Sequence, residues 1–226
     1  MRILVVAATS MEVAPLVAQL GGRPESGPGG KTCAYAGHDI DVLVTGVGMV
    51  ATAARCSRAL ALKRYDLGLN FGVCGSFDRS LEPGDVVQVI SDRIAELGAE
   101  DDEAFLTIQE LNLVGDDDCP FKDGRLVNPA PPANATLSGL RAVTGITVNT
   151  VHGNRRSIAA VAERFKPHVE SMEGAAFMYA CMIHEIVFAQ VRAVSNVVEK
   201  RNRGAWKMAE AIGSLGTIAL NIIEDA

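Results

Sequence analysis

The sequence predicts an α/β fold, one domain over 1–226, with a mixed or largely parallel central sheet flanked by helices on both faces. Three observations predict it. Short aliphatic runs alternate with longer helical patterns along the chain. The runs are near-continuous Val, Ile and Leu, as in strands covered on both sides, and do not alternate with polar residues. Finally, 226 residues at 48% hydrophobic and 5% aromatic content supply one large core built from aliphatic side chains.

In order, RILVVAA reads as the first strand and EVAPLVAQL as the helix after it. DVLVTG is the next strand, followed by the helix MVATAARCSRALALK. LGLNFG, DVVQVIS and GITVNTV are further strands. In VESMEGAAFMYACM (169 to 182) a strand hands over to a buried helix, VFAQVRAVS is a strand, and AWKMAEAIGSLGTIALNII closes the chain as a helix. Three loops break this rhythm: GGRPESGPGG (21 to 30), the acidic passage from 96 to 124, and NPAPPANA (128 to 135). Long structureless loops are uncommon unless functional, so the acidic passage is expected to hold short helices or to cover a pocket.

With 21 basic and 27 acidic residues the net charge is -6, and the acids cluster in AEDDE (99 to 103) and GDDDC (115 to 119). A polyanionic partner is therefore not expected: no basic stripe suits nucleic acid, and no apolar run approaches the roughly 20 residues that span a bilayer. Five cysteines, widely spaced and without a CxxC pair, argue against a disulfide framework or structural zinc and fit a reducing cytoplasm. The opening apolar run meets Glu12 at once and lacks a cleavage site, so it is not read as a signal peptide.

Several residues could carry chemistry. TGVGMVATAA (45 to 54) contains GxGxxA between a strand and a helix, the outline of a dinucleotide fingerprint. The acid that should read a ribose is misplaced, because Asp66 precedes the next strand instead of ending it. A tight turn and close helix packing account for those glycines. In NFGVCGSF (70 to 77) a strand ends in glycines, which makes Gly72, Cys74 and Gly75 candidates for contacts to a ligand at a strand's carboxyl end. None of the four histidines stands in a motif that would activate Cys74, so that residue reads as a small buried side chain. Glu12, Glu173 and Asn196 each lie at or just past the end of a strand. Each has an ordinary structural reading, as helix-start carboxylate or turn residue. Together they mark three strand ends that converge in such a fold. Glu173 raises a physical question as well, since an unpaired carboxylate among apolar residues costs several kcal/mol to bury.

ILVVAATSMEV, LNFGVCG with PGDVV downstream, SMEGAAF, and VRAVSNVVEKRNRGAW before a final helix together resemble the nucleosidase and phosphorylase family that cleaves purine nucleosides. The motifs occur in order over nearly the whole chain. Within that family RIAELGAED, SMEGAA and SNVVEKRNRGAW look most like the futalosine hydrolases of an alternative route to menaquinone. The resemblance implies a nucleoside phosphorylase-like, partly barrel-like sheet, a homodimer or higher homo-oligomer, and neither metal nor organic cofactor. It implies that Glu12 activates water and that Met172 and Glu173 face the ribose, where an anion stabilises developing oxocarbenium charge. Ser195 and Asn196 would meet the purine. Related adenine-releasing nucleosidases carry aspartate at the position of Asn196, and an amide has no ionisable proton to give N7. Asparagine can pair with either a 6-oxopurine or adenine; geometry leaves that open, and the resemblance favours the 6-oxopurine. Arg201 or Arg203 of KRNR, beside Trp206, is expected to meet a benzoate carboxylate, and Phe105 to close the pocket. The alternatives are a methylthioadenosine/S-adenosylhomocysteine nucleosidase, a purine nucleoside phosphorylase, and a nucleoside-binding module without catalysis.

Overall fold

A computed structural model describes residues 1–21 and 32–226. The glycine- and proline-rich loop 21 to 30 lies, apart from Gly21, outside the described residues. The first half of the chain runs β1 (Arg2–Ala7), α1 (Ser10–Gln19), β2 (Cys33–Tyr35), β3 (His38–Val44), α2 (Met49–Leu62), β4 (Leu67–Ser76) and β5 (Val86–Asp92). Four short strands follow: β6 (Gly98–Asp101), β7 (Ala104–Thr107), β8 (Phe121–Lys122) and β9 (Arg125–Val127). The second half is α3 (Ala135–Gly139), β10 (Arg141–Thr147), α4 (Arg155–Phe165), β11 (Val169–Ser171), α5 (Gly174–Ile183), β12 (Phe188–Val197) and α6 (Met208–Glu224), with a 3-10 turn at Arg203–Ala205.

β1 shows why the aliphatic runs are continuous. Ile3, Val5 and Ala7 pack with Val13, Leu16 and Val17 of α1 and with Leu215, Ala219 and Ile222 of α6. The residues between them, Leu4 and Val6, pack instead with Cys56 and Leu60 of α2 and Phe177, Met178 and Cys181 of α5. Side chains alternate across a strand, so each face of the sheet carries its own pair of helices. The two helices on the first face approach closely: a Cβ on Gly216 would lie 2.6 Å from Pro15.

The sheet is mixed and partly closed. β3, β1 and β4 are parallel neighbours. β12 pairs in parallel with β4 and antiparallel with β5, while β10 and β11 link β5 back to β4. A ring of strands β4, β12, β5, β10 and β11 results, and Cys74, Val87, Val89, Val143, Val169 and Val194 fill it, with every strand contributing. Each predicted strand and helix is present, although GITVNTV is displaced toward the N-terminus, with β10 ending at Thr147. The acidic passage departs from expectation: its regular structure is two hairpins, β6–β7 and β8–β9, and not short helices. β6 is exposed along its whole length, so it carries no apolar periodicity to read.

α5 is seated on a buried polar node. Asp92 accepts from Arg93 N–H (2.7 Å), Thr147 Oγ1 (3.0 Å) and Gln190 Nε2 (3.0 Å), and Thr147 Oγ1 in turn accepts from Ala175 N–H at 2.7 Å. A Cβ on Gly174 would fall 2.1 Å from Gln190 Nε2 and 2.4 Å from Asp92 Oδ2, so the glycine of SMEGAA is required by this close approach. Burial pushes the Asp92 carboxyl up to about 6, against the hydrogen bonds it accepts and the charge of Arg192. A raised acid stabilises the fold when protonated, and that stability is lost as pH rises from the unfolded value, about 4, through about 6. Asp92→Asn does not titrate, and Gln190, whose Oε1 has no partner among the described residues, can turn its amide to accept from the new NH2. The melting temperature of the variant relative to the wild type is expected to climb by several degrees between those pH values and to level off above them. Thermal melts at matched ionic strength check this; a constant difference would mean that Asp92 does not titrate there.

Candidate active site

A cavity of about 310 Å³ opens at the carboxyl ends of β1, β4, β11 and β12. Glu12, Cys74, Gly75, Met172, Glu173, Ser195, Asn196 and Trp206 all line it. The three strand-end groups on which the sequence reading rested therefore share one space.

Glu12 is buried, not a solvated helix-start group. Thr9 caps α1 and Glu12 closes the reciprocal box. Its Oε2 accepts from Thr9 N–H at 2.9 Å and Thr9 Oγ1 at 2.8 Å, and Oε1 accepts from Val73 N–H at 3.1 Å. Oε1 keeps a lone pair for a molecule in the cavity. Gly72 is not part of the lining. A Cβ there would stand 3.1 Å from Glu12 Oε1 and 3.4 Å from Arg192 Nη1, so the missing side chain leaves room for both the carboxylate and the guanidinium beside this strand. Arg192 is 1% exposed and hydrogen-bonds Asn70 Oδ1 at 2.5 Å and Val191 O at 3.1 Å. The resemblance did not single it out, and its only sequence signal is a charge inside an aliphatic strand.

Glu173, just past β11, occupies the N-cap position of α5, and its side chain makes no bond to its own helix. Its Oε1 accepts from Gly48 N–H at 2.9 Å. Gly48 has φ 96° and caps α2, so the turn that resembled a dinucleotide fingerprint directs its amide at this carboxylate. Burial raises the Glu173 carboxyl above the ordinary range, while the Gly48 N–H and the Arg192 charge act in the opposite direction. The backbone donors of Gly48 and Met172 and a nearby cation thus hold a buried carboxylate that still faces the cavity.

On the other wall, burial pushes the Cys74 thiol up to about 12, which suits a packing group and not a nucleophile. The β4–β12 register shifts between Val194 and Asn196. This irregularity brings Asn196, instead of Ser195, directly opposite Gly75. Asn196 Oδ1 accepts from Ser195 Oγ at 2.9 Å, and its Nδ2 donates to Val197 O at 2.9 Å, leaving one N–H and one lone pair to spare.

Besides Gly72, three predicted residues stand elsewhere. Arg201 and Arg203 are exposed and outside the lining; the Arg201 guanidinium lies 5.6 Å over the ring of Trp206, which is itself part of the wall. Phe105 is on β7 under Arg164, 4.7 Å from ring centre to guanidinium carbon, and does not border the cavity. The passage 96 to 124 contributes no lining residue, so it covers no part of this cavity. Conversely, Glu170 lines the cavity, 4% exposed, and pairs with His152. The sequence reading set all four histidines aside because none stands in a partner motif; the partner of His152 is 18 residues away along the chain.

An α/β sheet closed on itself, with three buried carboxylates and an amide gathered at its strand ends, has the architecture of the enzymes that process nucleosides. The chain belongs to the phosphorylase superfamily, whose family model matches residues 2–224. It is 33% identical over 183 residues to a futalosine hydrolase of Streptomyces coelicolor, covering 77% of this chain and 74% of the relative. It is 27% identical over 209 residues to a 5′-methylthioadenosine/S-adenosylhomocysteine nucleosidase of Chromohalobacter salexigens, covering 89% and 86%. The solved structure of a Helicobacter pylori futalosine hydrolase superposes with a TM-score of 0.77 at 14% identity over 100% of this chain and 98% of that one, a likeness of fold.

Proposed function

We propose that the protein hydrolyses the N-glycosidic bond of futalosine, releasing hypoxanthine and dehypoxanthine futalosine for menaquinone biosynthesis. The observation that carries this reading is the convergence of Glu12, Glu173 and Asn196 on one cavity, in a chain 33% identical to a futalosine hydrolase. Glu12 Oε1 takes a proton from water as the oxygen attacks C1′ of the ribose. The C1′–N9 bond breaks with its electron pair passing to the purine, which takes a proton from solvent at N7, because Asn196 has none to ionise. Asn196 donates NH2 to O6 and accepts from N7–H. Glu173 holds the ribose hydroxyls and offsets positive charge at C1′, with Met172 as the apolar face against the sugar. Arg201, set over Trp206 at the cavity wall, meets the benzoate carboxylate. A homodimer is the expected assembly, and no partner beyond substrate and water is required.

Incubation with futalosine, inosine, methylthioadenosine and S-adenosylhomocysteine, followed by chromatography of the released base, tests this. Hypoxanthine from futalosine, at a rate indifferent to phosphate, is expected. Preferential release of adenine would move the assignment to the methylthioadenosine-cleaving relatives, and dependence on phosphate would make the protein a phosphorylase. Arg201→Ala is expected to raise KM for futalosine about tenfold or more with little change for inosine, in line with loss of a charge-assisted pair. Equal changes for both substrates would remove Arg201 from the benzoate site.

A further inference from the structure

We propose that Glu170 is the residue that selects a 6-oxopurine over a 6-aminopurine, by accepting the N1–H that only the former carries. The inference rests on the reading that the cavity takes a purine beside Asn196. It answers a question Asn196 leaves open, since an amide can turn to suit O6 with a protonated N7 or the N6 amino group with N7. A carboxylate has no such freedom.

Gly75 lies directly opposite Glu170 on one side and Asn196 on the other. Residues facing one another across neighbouring strands project from the same face of the sheet. The glycine confirms the shared face: a Cβ on Gly75 would stand 2.9 Å from Val198 Cγ2, 3.3 Å from Asn196 Nδ2 and 3.6 Å from Glu170 Cγ. A carboxylate and an amide therefore flank Gly75, over which Val198 packs, two strand spacings or about 9 to 10 Å apart at the main chain, and all three of Glu170, Gly75 and Asn196 border the cavity. The purine edge that runs N7, O6, N1 fits this row, with N7 and O6 toward Asn196 and N1 toward Glu170.

Glu170 is also built as an acceptor. Its Oε1 accepts from His152 N–H at 3.1 Å and its Oε2 from His152 Nδ1 at 2.7 Å. The Phe77 ring lies edge-on to that imidazole, with centroids 6.5 Å apart. A carboxylate offers about four lone-pair sites, so two remain for the cavity that Glu170 lines. Hypoxanthine N1–H would fill one of them. Adenine presents a lone pair at N1, which sets acceptor against acceptor and leaves a buried charge short of a donor.

Calorimetric titration of free bases reads this without any turnover. Wild-type protein is expected to bind hypoxanthine about 10- to 100-fold more tightly than adenine or 1-methylhypoxanthine, the range of one hydrogen bond to a charged group. Glu170→Gln, its melting temperature measured alongside, is expected to bring hypoxanthine and adenine within about threefold of each other, since an amide can face either N1 with a suitable atom. An unchanged ratio in that variant, equal wild-type binding of hypoxanthine and 1-methylhypoxanthine, or no binding of hypoxanthine would overturn the proposal. Should Glu170→Gln not fold, the wild-type comparison of the three bases decides alone. If futalosine is not cleaved while the base preference persists and depends on Glu170, the proposed substrate is wrong and the role of Glu170 stands.

Discussion

Glu12→Gln will lower kcat for futalosine by about 10²- to 10⁴-fold, the contribution of a positioned general base. The variant keeps the side chain's length, so it isolates basicity. Glutamine at the third helical position still completes the capping box with Thr9, and the amide oxygen can still accept from one of the Thr9 and Val73 donors. Loss of the second bond should cost about 1 kcal/mol, within the usual range for a cap, leaving a folded protein. KM should move little, because water and not the nucleoside is the group Glu12 engages. Steady-state kinetics with a thermal melt in parallel check the expectation. A variant that retained full turnover would show that the attacking water is activated elsewhere.

Glu173→Gln comes second, with an expected loss of about 10²- to 10³-fold in kcat, the scale seen when one preorganised electrostatic partner of a developing charge is removed. The amide oxygen can still accept from Gly48 N–H, so the geometry of the α2 and α5 termini should persist while the negative charge disappears. Acidity supplies a second readout. Burial raises the Glu173 carboxyl in the folded protein, and its active form is the deprotonated one. Wild-type kcat/KM should therefore fall on acidification at a higher pH than an ordinary carboxylate would dictate, and Glu173→Gln should lack that limb. The pH profile of kcat/KM reports groups of the free enzyme, which is the state described here. An unchanged acid limb in the variant would assign that limb to another group.

The reading of α1 and of β12 shows how far local information reaches. The location of Glu12 at a strand end was legible, but the apolar run starts the helix at Glu12, two residues late, and it is the short-range Thr9–Glu12 box that starts α1 at Ser10. That Glu12 is buried and bonded to Val73 was not legible, since Val73 is 61 residues away and arrives only through the parallel pairing of β1 with β4. RAVSN was legible as a strand end, but the shift that turns Asn196 toward Gly75 depends on its register with β4. Arg201 and Arg203 were chosen as a basic run just past Asn196 together with the substrate the resemblance implies, and Phe105 for its place in the acidic passage; all three stand outside the cavity lining.

By itself the sequence determined the alternation of doubly covered strands with amphipathic helices, the strand-end positions of Glu12, Glu173 and Asn196, and the family, because periodicity and short motifs are encoded within about twenty residues of chain. The tertiary structure decided the closure of the ring through β12, the direction of the Gly48 amide toward Glu173, the place of Arg192 beside Gly72 and the row of Glu170, Gly75 and Asn196. Each of these is a contact between segments far apart in sequence, fixed by which strands pair and in what register. A one-residue slip would turn the side chain to the opposite face.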